Sequence, residues 1–297
     1  MRRFLSLLLV SMGLATAPGC APSPGPTTRI PPLSSGPQAA AGLPVCEVAG
    51  ETLRGDLVRP DRTTHKRRAL LFVHGGGWRG GAREDFAPLM HALAGQGYTG
   101  LTVDYRLSPA VRHPEHLADV KCALRWLKAH ASELDIDPDR IALLGGSAGG
   151  HLAALAAYTP NDPRFEGQGQ PRGGDTRIAA LVTHGAPTDL RDAARYSDET
   201  RRAVGVLMGR VPLSAAMLDE ASPVHFARPD NPPTLILHGE HDPIVPVAQA
   251  QRLNAVLSAV NAPHRLHVIP GAGHADFGSD PDAVGRLLLQ FLDTHLR

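Results

Sequence analysis

From residue 69 onward, short apolar runs alternate with stretches of helical periodicity, and no other feature of the sequence constrains the fold as much. Runs at 69–73, 101–103, 141–144, 178–183, 234–237 and 266–269 are separated by segments such as 86–95, 115–131 and 151–157. Within 115–131 the apolar positions 117, 120, 124 and 127 recur at helical spacing, which puts them on one face. The runs are predominantly apolar, as strands are when both faces of the sheet are covered. Strand and helix in repetition predict an α/β fold, a mostly parallel central sheet with helices on both faces. In such sheets ligands bind beyond the carboxyl ends of the strands. Residues just after the runs are therefore the candidates for chemistry.

Three of those positions fit together. Gly145-Gly146-Ser147-Ala148-Gly149 follows the run 141–144 and precedes a helical segment. It matches the G-x-S-x-G elbow, in which glycines two before and two after the serine let the chain double back without side-chain clashes. A serine hydroxyl is a weak nucleophile and needs a base, and the base needs an acid to hold its tautomer. Asp242 follows the run 234–237, and His274 lies in a Gly-rich loop after 266–269. Glu240 and Asp276 compete with Asp242 as the acid, and His238 and His241 compete with His274 as the base. Asp242 is preferred because Asp-Pro-Ile-Val-Pro leads into a helix, and His274 because it alone ends the last strand in a Gly-rich loop. His74-Gly75-Gly76-Gly77-Trp78 follows the first run, and its glycines suit a loop whose amides approach a substrate oxygen closely. His74 reads as an anchor for that loop.

Composition narrows the function classes. A chain of 297 residues, 42% hydrophobic and without internal repeats, can bury the core of one large domain. Thirty Lys and Arg balance 29 Asp and Glu, so charge gives no sign of nucleic-acid binding. The 15 histidines are scattered without metal-ligand spacing, so no metal site is expected. Aromatic residues are only 4%, which disfavours a long stacking platform for carbohydrate. Residues 185–230 are polar and irregular, with Asp189, Arg191 and Arg195 among them, and are candidates for part of a lid.

The N-terminus reads as an address. Arg2 and Arg3 precede an apolar stretch too short to span a bilayer, followed by small residues up to Cys20, the pattern of an export signal. Cleavage after Ala17 would place Pro18 just beyond the scissile bond, which suits a peptidase poorly. Ala17-Pro18-Gly19-Cys20 instead resembles a lipobox, although Ala17 and Pro18 depart from the usual pattern. The preferred division is a lipoprotein-type signal peptide at 1–20 with Cys20 lipidated, a Pro/Ser/Gly-rich tether at 21–45, and a catalytic domain at 46–297. This predicts an exported protein held at a bacterial envelope membrane only through its N-terminal lipid. Cys46 and Cys122 would form a disulfide in that compartment or serve as small buried residues, and the sequence leaves both open.

Beyond these local readings, the chain resembles the α/β-hydrolases of the esterase/lipase group related to hormone-sensitive lipase, in particular the small bacterial branch with feruloyl and acetyl esterases. The resemblance is carried by FVHGGGW (72–78), DYRLSP (104–109), HPEHLADVKCALRWL (113–127), DPDRIALLGGSAGGHLA (137–153), ASPVHF (221–226), PPTLILHGEHDPIVP (232–246) and GAGHADF (271–277). It spans about residues 69–295. It implies Ser147 as nucleophile, His274 as base, Asp242 as orienting acid, and the amides of Gly76, Gly77 and Ala148 as oxyanion hole. It also implies structural roles for Tyr105, Arg106 and Asp119, the arginine being buried against carboxylates. The implied activity is hydrolysis of a small or short-chain acyl ester without a cofactor. A formamidase or amidase using the same triad is the alternative, since HGGGW also resembles the HGG-x-W of kynurenine formamidases. A non-catalytic binding protein of the same fold is a third, distant reading.

Overall fold

The computed structural model describes residues 30, 32–209 and 212–297, apart from the side chains of 193–195. Its strands are β1 (Gln38–Val48), β2 (Glu51–Arg59), β3 (Arg68–Val73), β4 (Tyr98–Val103), β5 (Ile141–Gly146), β6 (Ala180–His184), β7 (Thr234–Gly239) and β8 (His264–Ile269). They form one eight-stranded sheet in the order β1-β2-β4-β3-β5-β6-β7-β8. Pairings from β4 to β8 are parallel, whereas β1 with β2 and β2 with β4 are antiparallel. Each of the six expected apolar runs coincides with one of the strands β3 to β8.

The helices are α1 (Ala87–Ala94), α2 (Glu115–Ala129), α3 (Ala131–Leu134), α4 (Ala148–Tyr158), α5 (Asp198–Met208), α6 (Ala215–Glu220), α7 (Ala248–Ala259) and α8 (Pro281–His295). Two apolar clusters lie on opposite faces of the sheet. One joins α2, α4, α5 and α7 to the side chains of β1 to β7 that face them, and the other joins α1 and α8 to the reverse face. In α2, Leu117, Val120, Leu124 and Leu127 are fully buried, as their spacing requires. Apart from half-buried Arg68 at the start of β3, β3 to β7 are buried throughout, which accounts for their predominantly apolar sequences. Among the described residues no helix is long and apolar enough to cross a membrane.

The expected domain boundary at residue 46 requires correction. β1 begins at Gln38 and pairs with β2 along its length, so 38–45 belong to the sheet and not to a tether. Gln38-Ala-Ala-Ala-Gly-Leu alternates weakly between exposed and buried positions, as an antiparallel edge strand does, and so lacks the apolar block that marks the inner strands. The signal segment 1–20, Cys20 and the first part of the tether lie outside the described residues. Cys46 of β1 and Cys122 of α2 are joined by a disulfide, with Cα atoms 6.2 Å apart. The question left open by the sequence is thereby answered, and the bond ties the edge hairpin to a helix that covers the sheet.

Candidate active site

Ser147 sits between the end of β5 and the first turn of α4, with φ +52° and ψ −124°. A non-glycine residue holds that conformation only where its surroundings impose it, at a cost of about 1–3 kcal/mol. Here the imposition is tight packing of backbone on backbone. A methyl group at Gly149 would come within 2.0 Å of the Val73 carbonyl oxygen, and one at Gly145 within 2.3 Å of the Gly149 oxygen. Only glycine at both places lets α4 start so close to β3 and turn the serine outward. The Ser147 amide donates to the His184 carbonyl at 2.8 Å, fixing the elbow to β6.

The structure brings together the three side chains singled out in the sequence. Ser147 Oγ lies 2.8 Å from His274 Nε2, and His274 Nδ1 lies 2.7 Å from Asp242 Oδ2. The carboxylate accepts only, so Nδ1 carries the proton and Nε2 offers its lone pair to the hydroxyl. Asp242 Oδ1 accepts the amides of Ile244 and Val245, both at 2.9 Å. Burial by itself would raise the Asp242 pKa, but hydrogen bonds from His238 and His274, together with the Val245 amide, hold it well below the usual carboxylate range. The Asp242 carboxylate is thus ionised throughout the neutral range.

The competing residues are elsewhere. Glu240 is exposed and accepts the Gly271 amide, His241 is largely exposed, and Asp276 accepts the amides of Gly273 and Gly278. His238 is fully buried but touches the acid instead of the serine, its Nε2 lying 2.8 Å from the Val245 oxygen and 3.4 Å from Asp242 Oδ2. His184, at the end of β6, is pushed down to about 4 by burial and by its neighbours His238 and His274, and it donates to the Asp276 carbonyl at 3.2 Å. Neither partner was recognised from sequence as a neighbour of the acid. For His238 the available signal was its place on the same strand end, four residues before Asp242.

The glycine loop after β3 is anchored from several sides. His74 is buried and stacks on Tyr105 with ring centroids 4.2 Å apart, and the Tyr105 hydroxyl is 3.1 Å from both the His74 and Gly75 carbonyl oxygens. Arg106 binds Asp119 through Nε and Nη2 and Glu115 through Nη2 at 2.7 Å. The following segment is thereby fixed to α2, as the resemblance implied. Gly76 and Gly77 have φ of +96° and +60°. A methyl group on Gly76 would strike the Gly80 carbonyl at 2.3 Å, while one on Gly77 would meet the Ala203 methyl of α5 at 3.6 Å. α5 therefore lies over the glycine loop, and the Thr200 hydroxyl of α5 donates to the Ile244 carbonyl beside Asp242 at 3.0 Å. Part of the polar segment 185–230 thus packs beside the glycine loop and the Asp242 loop. Asp189 accepts the Arg191 amide, Arg191 pairs with Asp219, and the Arg195 side chain lies outside the described residues.

Residues 56–257 match the BD-FAE family. The chain belongs to the BD-FAE family. Esterase LipC of Mycobacterium tuberculosis is 37% identical over 224 residues, covering 73% of this chain and 55% of LipC. The chain spans about half the length of curated relatives it matches. A truncated carbohydrate esterase from gut microbiota superposes with a TM-score of 0.77 at 24% identity, covering 88% of this chain and 97% of that one, and so shares the fold. The propionate-bound thermophilic esterase Est2 of Thermogutta terrifontis superposes with a TM-score of 0.67 at 28% identity over 85% of this chain and 94% of that one. The BD-FAE chain therefore has the α/β-hydrolase fold that its strand order indicates.

Proposed function

We propose that this BD-FAE chain is a serine carboxylester hydrolase acting on small or short-chain acyl esters through Ser147, His274 and Asp242. The observation that carries the reading is the unbroken hydrogen-bond line from Asp242 Oδ2 through His274 to Ser147 Oγ, ending on a serine held at φ +52°. As Oγ attacks the ester carbonyl, Nε2 of His274 takes its proton and Asp242 stabilises the resulting imidazolium. The carbonyl oxygen, now negative, is received by amides of Gly76, Gly77 and Ala148. Ala148 opens α4, where the first N–H groups have no partner within the helix and the dipole favours negative charge. His274 then protonates the departing alcohol, and water, activated by the same imidazole, releases the acid from the serine.

A short acyl group is supported by related structures, in which Est2 of Thermogutta terrifontis holds propionate or butyrate. The experiment is hydrolysis of p-nitrophenyl esters of graded acyl length by wild type and Ser147→Ala, with N-formylkynurenine alongside. The expected result is greatest turnover on acetate to butyrate and loss of about 10⁴–10⁶ in kcat in the variant. More than about a thousandth of wild-type rate surviving in Ser147→Ala would refute the nucleophile, and preferential cleavage of N-formylkynurenine would make the enzyme a formamidase.

We also propose that the domain is exported and anchored by a lipid on Cys20. The Cys46–Cys122 disulfide supports an oxidising compartment, and metabolic labelling with a radioactive fatty acid is expected to mark wild type and not Cys20→Ala. Label retained by the variant would remove the anchor.

A further inference from the structure

We propose that His238 is a positioning residue of the hydrolytic site, whose Nε2–H is shared between the Val245 carbonyl and the Asp242 carboxylate and so aims that carboxylate at His274 and tempers its pull on the base. The proposal rests on the triad reading given above and assigns to that site a second imidazole on the acid.

The geometry supports it in three steps. His238 Nε2 is 2.8 Å from the Val245 oxygen, and because a carbonyl only accepts, Nε2 carries a proton. The same nitrogen is 3.4 Å from Asp242 Oδ2, the oxygen that receives His274 Nδ1 at 2.7 Å. Val245 also donates its amide to Asp242 Oδ1, so Asp242, Val245 and His238 close a ring that leaves the acid loop little freedom to turn.

The ring has a cost that space-filling does not explain. With Nε2 protonated, His238 Nδ1 is buried and has no hydrogen-bond partner among the described residues. A buried polar atom without a partner is unfavourable, and an apolar side chain would fill the same place without it. What an apolar side chain lacks is the N–H toward Val245 and Asp242. Two donors on Oδ2 share its negative charge, so each feels less of it. The pull that His274 feels is therefore weaker than that of a carboxylate that served it alone.

The titratable groups facing His238 are Asp242 on its own loop, His274 beyond the carboxylate, and His184 from β6. His184 is kept uncharged by burial down to about pH 4, so it adds no changing field across the neutral range. A shift in the base therefore reports on Asp242 and its donors.

The test is the pH dependence of kcat/KM for p-nitrophenyl acetate in His238→Phe, His238→Asn and His238→Gln, with Ser147→Ala and melting temperatures measured in parallel. Phe and Asn remove the donor at the Nε2 position, whereas the Gln amide reaches it. The acid limb is expected to move up by about half to one pH unit in the Phe and Asn variants, as loss of one hydrogen bond to a carboxylate would give, and to return to the wild-type position in the Gln variant. Limbs unmoved in Phe and Asn, whatever their melting temperatures, would reduce His238 to a packing residue while leaving the triad intact. An active Ser147→Ala would overturn the triad and the proposal with it. Should the Phe variant not fold, the contrast between Asn and Gln decides the question alone.

Discussion

Trp78 Nε1 donates to His151 Nδ1 across 3.2 Å, and the two rings meet edge to face with centroids 5.2 Å apart. Trp78 follows Gly77 in the glycine loop and has φ +60°, while His151 lies in the first turns of α4, four residues after Ser147. The contact thus joins the two backbone segments whose amides are proposed to hold the oxyanion. His151 Nε2 is 2.7 Å from the Ala221 carbonyl, so the ring is neutral with its proton on Nε2 and can accept from the indole. Trp78→Phe keeps most of the packing and leaves His151 Nδ1 buried without a donor, a loss of about 1–3 kcal/mol. Because the oxyanion amides act mainly in the transition state, kcat is expected to fall about tenfold or more with KM little changed. Steady-state kinetics on p-nitrophenyl acetate check this, and a rise in KM at constant kcat would contradict it.

Gly149→Ala is expected to abolish activity through the backbone. The added methyl would lie 2.0 Å from the Val73 oxygen and 2.3 Å from the His74 oxygen, and carbonyls fixed at a strand end cannot step aside as a flexible side chain can. Either α4 shifts away from β3, moving Ser147 off His274, or the protein fails to fold. Gly205→Ala on the open side of α5, where a methyl would meet nothing within 4 Å, is the control and is expected to keep full activity. Labelling by a fluorophosphonate probe reads both variants, and wild-type labelling of Gly149→Ala would show that the elbow tolerates what its geometry forbids.

These clashes also explain which parts of the molecule were legible in the sequence. The glycines around Ser147 are dictated by backbone contacts only glycine permits, so the elbow is written in residue identities. The strands β3 to β7 are buried on both faces and are therefore written in apolar blocks. β1 and β2 are not, because an edge hairpin alternates and its start lies in Pro- and Gly-rich sequence, which is why the domain begins earlier than composition indicates. His238, His184 and the Trp78–His151 pair were hidden for a different reason. Their meaning depends on partners between 4 and 92 residues away, and a single buried histidine looks the same in sequence whether it fills space or orients an acid.

The disulfide makes an independent prediction. Cys46 and Cys122 close a loop with a sequence separation of 76, and the chain-entropy account of such a crosslink gives about 4.5 kcal/mol, with about 2–5 typically lost on removing a native one. The double variant Cys46→Ala/Cys122→Ala is expected to lose that much free energy of unfolding while keeping the wild-type kcat, since Cys122 meets Gly169 and Gln170 and not the residues that hold Ser147, His274 or the glycine loop. Urea melts with intact and substituted cysteines measure it. A change below about half a kcal/mol would mean that packing alone holds the hairpin.

Acid should weaken the fold well before it protonates the carboxylates. His116 and His151 are fully buried and His184 nearly so, and burial pushes the pKa of each down to about 4. A group with a depressed pKa in the folded state contributes stability that is complete above its unfolded value near 6.5 and is lost as pH falls toward about 4. Through that window the unfolded chain binds protons that the folded chain refuses, at about 1.4 kcal/mol per pH unit for each proton. Asp242 adds to the loss only at lower pH, where its unfolded form begins to protonate. The free energy of unfolding from urea melts is therefore expected to decline steeply from pH 6.5 to pH 5, and His116→Gln is expected to make the decline shallower by up to one proton. His116 is the suitable choice because its Nε2 meets the Ser108 hydroxyl, whereas His151 and His184 each hold a backbone carbonyl in the frame of the site. A stability that stays level between pH 7 and pH 5 would mean that these imidazoles find protonated arrangements inside the fold, contrary to the packing around them.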